Sequence, residues 1–293
     1  MGDVLAGIHA TWEFEPDAVL IRFTRGSRGT PKLFLALGER RIPHEALQSV
    51  TLSPGKRGTV VLHAVPRPGV DPLMEAAAGQ LKDGNDPYRL VLPADRETLA
   101  EYYADELRAA LPAEPAADPL CAGPYPVSSV GAPRQFKAYD GKATFDGDKV
   151  AFRWFWTGAS SAKWKAGDQT FAVSELAGVE WRSPDGLDGH LRLLRRDAPD
   201  GARPPRPDQD PDAVVFGLGY GPVHESLPFA AAILEAVRGA SPAPVAPAPA
   251  AHPARRDPAD IAERIRHLGE LYQAGLVTDD EFTLKKAELL AEL

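Results

Sequence analysis

A glycine-rich run is the first feature of this sequence whose residue types and spacing could support chemistry. Gly217-Leu218-Gly219-Tyr220-Gly221 lies between a predicted strand and a predicted helix, as a dinucleotide-binding loop does. The run lacks the final spacing of G-x-G-x-x-G, and no second parallel strand with an acidic residue follows it. We therefore interpret the glycines as a tight entry into the helix, and we expect no cofactor.

A second candidate is a set of basic residues in predicted loops. Ser53-Pro54-Gly55-Lys56-Arg57-Gly58 has no Walker spacing and is typical of a turn between two strands. Together with other basic loop residues it could hold a phosphate or an acidic peptide. The alternative, which we favour, is solvated loop charge without a ligand. The candidate anion-binding residues are Arg25, Arg28, Lys32, Lys56 and Arg57.

The remaining chemistry-bearing residues predict no catalytic or metal site. The seven histidines fit no metal-ligand spacing, and we interpret His44 and His63 as turn or sheet-surface residues. Cys121 lies in a predicted linker, where a nucleophile would have no fixed base. The sequence contains no H-E-x-x-H or G-x-S-x-G motif. We therefore expect a protein that is not an enzyme and needs no metal.

Composition limits the class of protein. The chain has 293 residues, of which 44% are hydrophobic and 25% charged, so its domains can bury ordinary cores. A formal net charge of −8 argues against a nucleic-acid partner. The single cysteine excludes an internal disulfide. No apolar run reaches the ~20 residues of a membrane span, and no signal peptide is evident, so we expect a cytoplasmic protein.

The elements that must position these residues occur twice. Ala10-Thr11-Trp12-Glu13-Phe14 corresponds to Ala143-Thr144-Phe145, and further matching segments follow in the same order. Each copy closes with a predicted amphipathic helix. The predicted buried face is Leu99, Tyr103, Leu107 and Leu111 in the first helix, and Val223, Leu227, Ala230, Leu234 and Val237 in the second.

Strands followed by one terminal helix predict an α+β fold with antiparallel sheets, because no helices alternate with the strands. A curved sheet closed by a C-terminal helix is the plan of a pleckstrin-homology-like (PH-like) domain. Phe152, Trp154 and Trp156 alternate on one predicted strand face. We interpret Trp154, Trp156, Trp164 and Trp181 as core residues, and an outward-facing Phe155 would mark a partner surface.

The C-terminal segment predicts a two-helix hairpin. Asp257 is a good N-cap with Pro258 after it, Gly275 suits a helix end, and Thr278 with Glu281 forms a capping box. So small a hairpin usually needs a surface to dock on, either its own protein or a partner. The candidate partner-binding residues are Ile261, Ile265, Leu268, Tyr272, Phe282 and Leu289.

This hairpin closely resembles the SHOCT (short C-terminal) domain, through Ala274-Gly275-Leu276-Val277-Thr278, Glu281-Phe282 and Lys285-Lys286. The paired repeats, with Ala10-Thr11-Trp12-Glu13-Phe14 and Arg41-Ile42-Pro43, resemble an actinobacterial family, domain of unknown function 4429. Neither resemblance implies catalytic residues, and the SHOCT resemblance implies oligomerisation or interaction.

The predicted organisation has five parts. They are repeat 1 (1–111), a Pro/Ala linker (112–133), repeat 2 (134–239), a Pro/Ala tether (240–256) and the hairpin (257–293). We expect an adaptor or scaffold, whose tail binds itself or a protein partner. The alternative is a peripheral membrane or phospho-ligand sensor that uses the basic loops of repeat 1.

Overall fold

The computed structural model describes residues 3–25, 29–112, 124–129, 131–132, 134–198 and 205–240. In repeat 1, seven strands form two antiparallel sheets with the orders β1-β2-β3-β4 and β5-β6-β7. The strands are β1 Asp3–Ala6, β2 Ala10–Phe14, β3 Ala18–Phe23, β4 Glu39–Pro43, β5 Leu47–Pro54, β6 Thr59–Pro66 and β7 Arg89–Pro93. The helices are α1 Lys32–Leu37, α2 Pro72–Ala77 and α3 Glu97–Ala110.

Repeat 2 has the same arrangement, with sheets of order β11-β10-β9-β8 and β12-β13-β14. Its strands are β8 Arg134–Lys137, β9 Gly141–Phe145, β10 Lys149–Trp154, β11 Gln169–Ala172, β12 Leu176–Arg182, β13 His190–Arg195 and β14 Ala213–Val215. Its helices are α4 Ser161–Ala166 and α5 Val223–Ala240. The predicted α+β class with antiparallel sheets is confirmed.

Backbone hydrogen bonds repeat between the two halves. Ile8 N–H donates to Val91 O at 2.9 Å, and Tyr139 N–H donates to Val215 O at 3.0 Å. Thr24 N–H donates to His9 O, and Phe155 N–H donates to Asp140 O, both at 2.9 Å. The register irregularity at the start of β5, between Leu47 and Ser49, recurs in β12 between Leu176 and Gly178. These pairs define which loop positions of the two repeats are equivalent.

Alternating apolar residues explain why these segments form half-buried strands. Val19, Ile21 and Phe23 of β3 are buried, as are Phe152 and Trp154 of β10, because successive side chains of a strand point to opposite faces. Helix α3 packs on β5, β6 and β7 and buries Ala100, Tyr103, Ala104 and Leu107. The assignment of Leu99 to its buried face was wrong: Leu99 is 41% exposed, because the buried stripe runs through the small alanines instead.

Helix α5 is buried on more than the one face that the sequence predicted. It packs on β8 and β12 of its own repeat and on α1 and α2 of repeat 1, all within one compact unit. Leu227, Ala230, Leu234 and Val237 are buried as expected, and Phe229, Ala231, Ala232 and Ile233 are buried as well. A helix that is apolar on all sides is typical of a central position. Helix α5 therefore packs against both repeats.

Polar contacts also join the repeats. Gln80 Nε2 donates to Trp181 O at 3.1 Å, and its Oε1 accepts from Ser183 N–H at 3.0 Å. Arg238 of α5 donates to Gly69 O at 2.6 Å and lies over the Tyr125 ring, with Cζ 3.4 Å from the ring centroid. Tyr125, in the predicted linker, is itself buried. The described end of that linker is therefore part of the packed structure.

Candidate functional site

The most distinctive exposed feature is a group of apolar side chains on repeat 2, which we call the aromatic surface. Trp156 and Trp164 form an edge-to-face pair with centroids 5.3 Å apart, and Tyr139 and Tyr220 form another at 6.2 Å. Trp156 is 79% exposed and Leu218 is fully exposed. Large apolar side chains grouped in solvent mark an interaction site more often than isolated ones do. The aromatic surface consists of Tyr139, Trp156, Trp164, Leu218 and Tyr220.

Three loops and one short helix bring these residues together. Tyr139 lies in the β8–β9 turn, Trp156 in the β10–α4 loop, Trp164 in α4, and Tyr220 in the β14–α5 loop. The β10–α4 loop passes so close to the β8–β9 turn that a Cβ at Gly158 would lie 2.2 Å from Tyr139 O. Only glycine allows this approach. The two aromatic pairs therefore belong to neighbouring, tightly packed loops.

A glycine also fixes the β14–α5 loop. Gly221 has a φ of +59°, and a Cβ there would lie 2.3 Å from Phe216 Cδ1. Gly217 packs against Tyr139, since its Cβ position is 3.0 Å from Tyr139 Cβ. The interpretation of the glycine run as a tight entry into the helix therefore agrees with the backbone geometry.

A buried ion pair holds these loops in place. Lys163 Nζ donates to Asp140 Oδ2 at 2.5 Å and to Ala213 O at 2.7 Å, and both charged side chains are almost completely buried. Asp140 Oδ1 accepts from Val215 N–H at 2.9 Å. Because Asp140 follows Tyr139 and Lys163 precedes Trp164, the pair connects α4, the β8–β9 turn and β14. The ion pair therefore holds together the turn that carries Tyr139 and the helix that carries Trp164.

Burial has the largest influence on the ionisation of this pair. It raises the pKa of Asp140 and lowers the pKa of Lys163, while the attraction between the two charges acts in the opposite direction on each. Lys163 Nζ also lies 4.9 Å from the centroid of the Trp154 ring, a further favourable contact for the cation. The ammonium group therefore has both an anionic and an aromatic partner.

The equivalent positions of repeat 1 have different chemistry. The repeated hydrogen bonds make Ile8 the counterpart of Tyr139 and Arg25 the counterpart of Trp156. Helices α1 and α4 both have six residues, so Leu35 is the counterpart of Trp164. An aliphatic residue, a cation and a leucine thus replace three aromatic residues on the same scaffold.

Of the predicted anion-binding residues, Arg25, Lys32, Lys56 and Arg57 are described, and Arg28 lies outside the described residues. Arg25 in the β3–α1 loop and Lys56 and Arg57 in the β5–β6 turn flank the β1–β2 turn, whose Ile8 is bonded to β7. Lys32 begins α1. None of these four cations forms an ion pair with another described residue.

Lys32 lies towards repeat 2. Burial is the main cause that lowers the pKa of His224, at the start of α5, and the positive charge of Lys32 lowers it further. The loop ends of the two repeats therefore approach each other at α1 and α5. Lys32 therefore begins a helix that packs against α5 of the other repeat.

The predicted tail residues Ile261, Ile265, Leu268, Tyr272, Phe282 and Leu289 lie outside the described residues, as does Cys121. Their roles stay predictions. Within the described ranges, no group of three or more His, Cys, Asp or Glu residues could hold a metal ion. Of the helices in those ranges, none has the length and apolar character needed to cross a membrane.

The tryptophan assignment was half wrong. Trp154 and Trp181 are buried, but Trp156 and Trp164 are exposed because β10 ends at Trp154 and the chain turns away from the sheet. Phe155 is only partly buried. One signal in the sequence could have revealed this: Ser160 accepts from Lys163 N–H as an N-cap, so the preceding residues had to be a loop.

These features define a class of protein: a tandem-repeat α+β protein with an exposed aromatic surface on its second repeat. The family model "Domain of unknown function (DUF4429)" matches residues 12–108 and 143–234. The chain therefore belongs to that family, and each matched region falls within one of the two predicted repeats. A second model, "Short C-terminal domain" (SHOCT), matches residues 263–290. No curated protein matches the chain.

Proposed function

We propose that this protein is a non-enzymatic adaptor that binds a protein partner through the aromatic surface and assembles through its SHOCT segment. The observation that carries the proposal is the exposure of four neighbouring aromatic side chains on loops that a buried ion pair holds in place. Tyr and Trp are enriched among the residues that dominate binding energy at protein interfaces. Fixed loops also reduce the ordering cost of binding.

The architecture supports an adaptor in a second way. Within the described residues, each repeat has seven strands in two antiparallel sheets and a closing helix. This fits the plan of a PH-like domain, and we propose that fold for both repeats. Such sheets serve mainly as binding platforms, an analogy from fold. Repeat 2 would supply the recognition surface, and repeat 1 would support it through α5.

The tail supplies the assembly part of the proposal. The SHOCT match covers five of the six residues predicted to bind a partner: Ile265, Leu268, Tyr272, Phe282 and Leu289. Phe282→Ala should remove enough buried apolar area to weaken a marginal hairpin by a few kcal/mol. We expect the full chain to form an oligomer and Phe282→Ala to shift it towards monomer.

The experiment is light scattering after size exclusion on the full chain, on Phe282→Ala, and on Trp156→Ala as a matched aromatic control. Loss of the oligomer in Phe282→Ala alone would support assembly by the tail. Equal masses for all three would count against it. If the full chain is a monomer, the tail is left with the recruitment role, which residues 255–293 as bait would test.

A second candidate function is a sensor of anionic membrane surfaces or phosphorylated ligands. The observation that favours it is a set of exposed cations in the loops of repeat 1, Arg25, Lys56 and Arg57, none of which forms an ion pair with another described residue. Binding to vesicles that contain anionic lipid should weaken as salt is added, because exposed charges are screened. The double variant Lys56→Glu, Arg57→Glu should abolish it. No binding at low salt would remove this candidate.

A further inference from the structure

We propose that the partner of the aromatic surface is an acidic polypeptide segment, which also contacts a row of three cations on the sheet beside that surface. This inference rests on the proposed function, because it gives the chemistry of the partner for the same surface. The cation row consists of Lys137 in β8, Lys142 in β9 and Arg153 in β10. A segment that carries both carboxylates and apolar side chains fits the two features together.

Strand register places the three cations side by side. Lys137 is the Cα partner of Lys142, and Lys142 is the Cα partner of Arg153. Phe136 and Phe152, which precede Lys137 and Arg153, are buried, so the cations point to the outer face of the sheet. Neighbouring strands lie about 4.8 Å apart, and the row therefore spans about 10 Å.

This arrangement is unfavourable in the free protein. Side chains directly opposite each other on neighbouring strands interact, and like charges there destabilise the sheet. Neither lysine forms an ion pair with another described residue, and Arg153 Nε lies 3.9 Å from an Asp168 oxygen, with both side chains exposed. The carboxylates of a partner would relieve this repulsion, which is the electrostatic complementarity that selects one partner over another.

Repeat 1 has no such row at the equivalent positions. Its register pairs Ala6 with Thr11 and Thr11 with Arg22, and the turn hydrogen bonds make these the counterparts of the three cations. Arg22 forms ion pairs with Glu13 and, at 3.7 Å, with Glu39. Repeat 1 therefore has one cation with two carboxylate partners where repeat 2 has three cations close together.

The cation row and the aromatic surface meet at the β14–α5 loop. Lys137 and Lys142 line a cavity of about 430 Å³ together with Tyr220 and Glu225. Gly221 N–H donates to Lys137 O at 2.8 Å, which holds the loop against β8. Glu225 is the one carboxylate of the cavity lining, so the cations outnumber it there. A bound segment can therefore contact Tyr220 and both lysines.

The shape of this region favours a polypeptide over a membrane or a nucleic acid as the source of negative charge. A cavity admits individual side chains, whereas a bilayer is broad and flat. The formal net charge of −8 also opposes a broad attraction to anionic surfaces and leaves a short, local contact as the favourable one. Anionic vesicles and single-stranded DNA are therefore outcomes that the test has to separate.

The test selects peptides from a random display library on the immobilised full chain and measures the enrichment of Asp and Glu over the unselected library. The affinity of a selected, dye-labelled peptide is then measured by fluorescence anisotropy. The test variant, Lys137→Ala with Lys142→Thr, introduces the residues that repeat 1 has at these positions. The matched control, Lys56→Ala with Arg57→Ala, removes two cations from repeat 1 instead.

We expect the selected peptides to be enriched in Asp and Glu. The test variant should weaken their binding roughly fivefold at low salt, and the control should leave it unchanged. Added salt should weaken binding to the wild type more than binding to the test variant, because exposed charges are screened. Peptides without acidic enrichment, or equal affinities of the two variants, would overturn the inference.

The proposed function can fail separately from this inference. If Trp156→Ala weakens binding of the selected peptides but the test variant does not, the protein-binding role of the aromatic surface stands and the acidic chemistry is overturned. If the test variant weakens binding but Trp156→Ala does not, the cation row binds acidic segments without the aromatic surface, and the proposal as stated fails. If no peptide is selected, the inference is overturned, whether or not phosphatidylserine vesicles or single-stranded DNA bind instead.

Discussion

The two repeats of this protein share their backbone hydrogen bonds but differ in the chemistry of equivalent positions. The exposed position that Trp156 occupies in repeat 2 is occupied by Arg25 in repeat 1. Beneath these loops, repeat 2 has the buried Lys163–Asp140 ion pair, whereas repeat 1 has the Phe34 ring stacked on the Phe23 ring, with centroids 4.6 Å apart. Among the described residues, repeat 1 has a buried ion pair between Arg40 and Asp71, and repeat 2 has a second one between Arg192 and Asp210. The pair beneath the loops therefore occurs in repeat 2, whereas the Arg40–Asp71 pair of repeat 1 lies at the start of α2, which packs against the other repeat.

The largest expected change in stability comes from Asp71→Asn, which removes the anion of the buried ion pair in repeat 1. Asp71 accepts from Arg40 Nη2 and Tyr88 OH, both at 2.6 Å, and from Leu73 N–H at the start of α2. Arginine cannot lose its charge, so the change leaves a buried cation without a counter-ion, which costs about 3–5 kcal/mol. Urea unfolding measures this. Asp17→Asn, at an exposed pair with Arg41, is the control and should leave the midpoint nearly unchanged.

Asp140→Asn should have a smaller effect on stability, because lysine can become neutral. Burial already lowers the pKa of Lys163, so in the variant its folded-state pKa lies still further below 10.5. The unfolded state then binds more protons than the folded state, and stability should rise with pH up to about that value. The change should also alter the emission of Trp156 and Trp164. A stability that does not vary with pH would contradict this account of Lys163.

Arg238→Ala tests whether α5 is shared by both repeats. It removes the hydrogen bond to Gly69 O, the contact with the Tyr125 ring and the ion pair with Glu75. We expect a loss of about 1–2 kcal/mol in the free energy of unfolding. Unfolding should stay a single transition if the repeats form one cooperative unit. Two resolved transitions in the wild type would contradict that.

The smallest expected effect on stability concerns His44. Its counterpart in repeat 2 is Val173, because His44 N–H donates to Asp17 O and Val173 N–H donates to Asp148 O at the equivalent position. Burial lowers the pKa of His44 from 6.5, and its Nε2 is buried without a partner among the described residues. Its contribution to stability is therefore complete above pH 6.5 and is lost as the pH falls below it. His44→Val should reduce this acid-side loss, measured by unfolding at pH 7 and pH 5. An unchanged pH dependence would be the contrary result.

Much of the architecture could be predicted from the sequence, because alternating residues such as Val19, Ile21 and Phe23 report strand burial directly. The exposure of Trp156 could not be read from alternation, since it depends on where β10 ends. The second buried face of α5 depends on packing against α1 and α2, which no local pattern encodes.

The candidate site was less predictable than the fold. The basic residues were found because charge next to glycine is visible in a sequence. That Lys32 begins a helix packed against α5 of the other repeat could not be predicted in this way. The aromatic surface depends on Tyr139 and Tyr220, which are 81 positions apart and meet because β14 and the loop after it pack against the β8–β9 turn. Such a site arises from tertiary structure, and composition alone gives no sign of it.

The central proposal is that the aromatic surface of repeat 2 binds a protein partner, whereas the equivalent loops of repeat 1 do not. The most direct test places a photo-crosslinking amino acid at position 156 or at the equivalent position 25 of the full chain, and identifies the products by mass spectrometry. We expect a defined crosslink from position 156 that Tyr220→Ser weakens, and none from position 25. Equal crosslinking from both positions, or none from position 156, would contradict the claim.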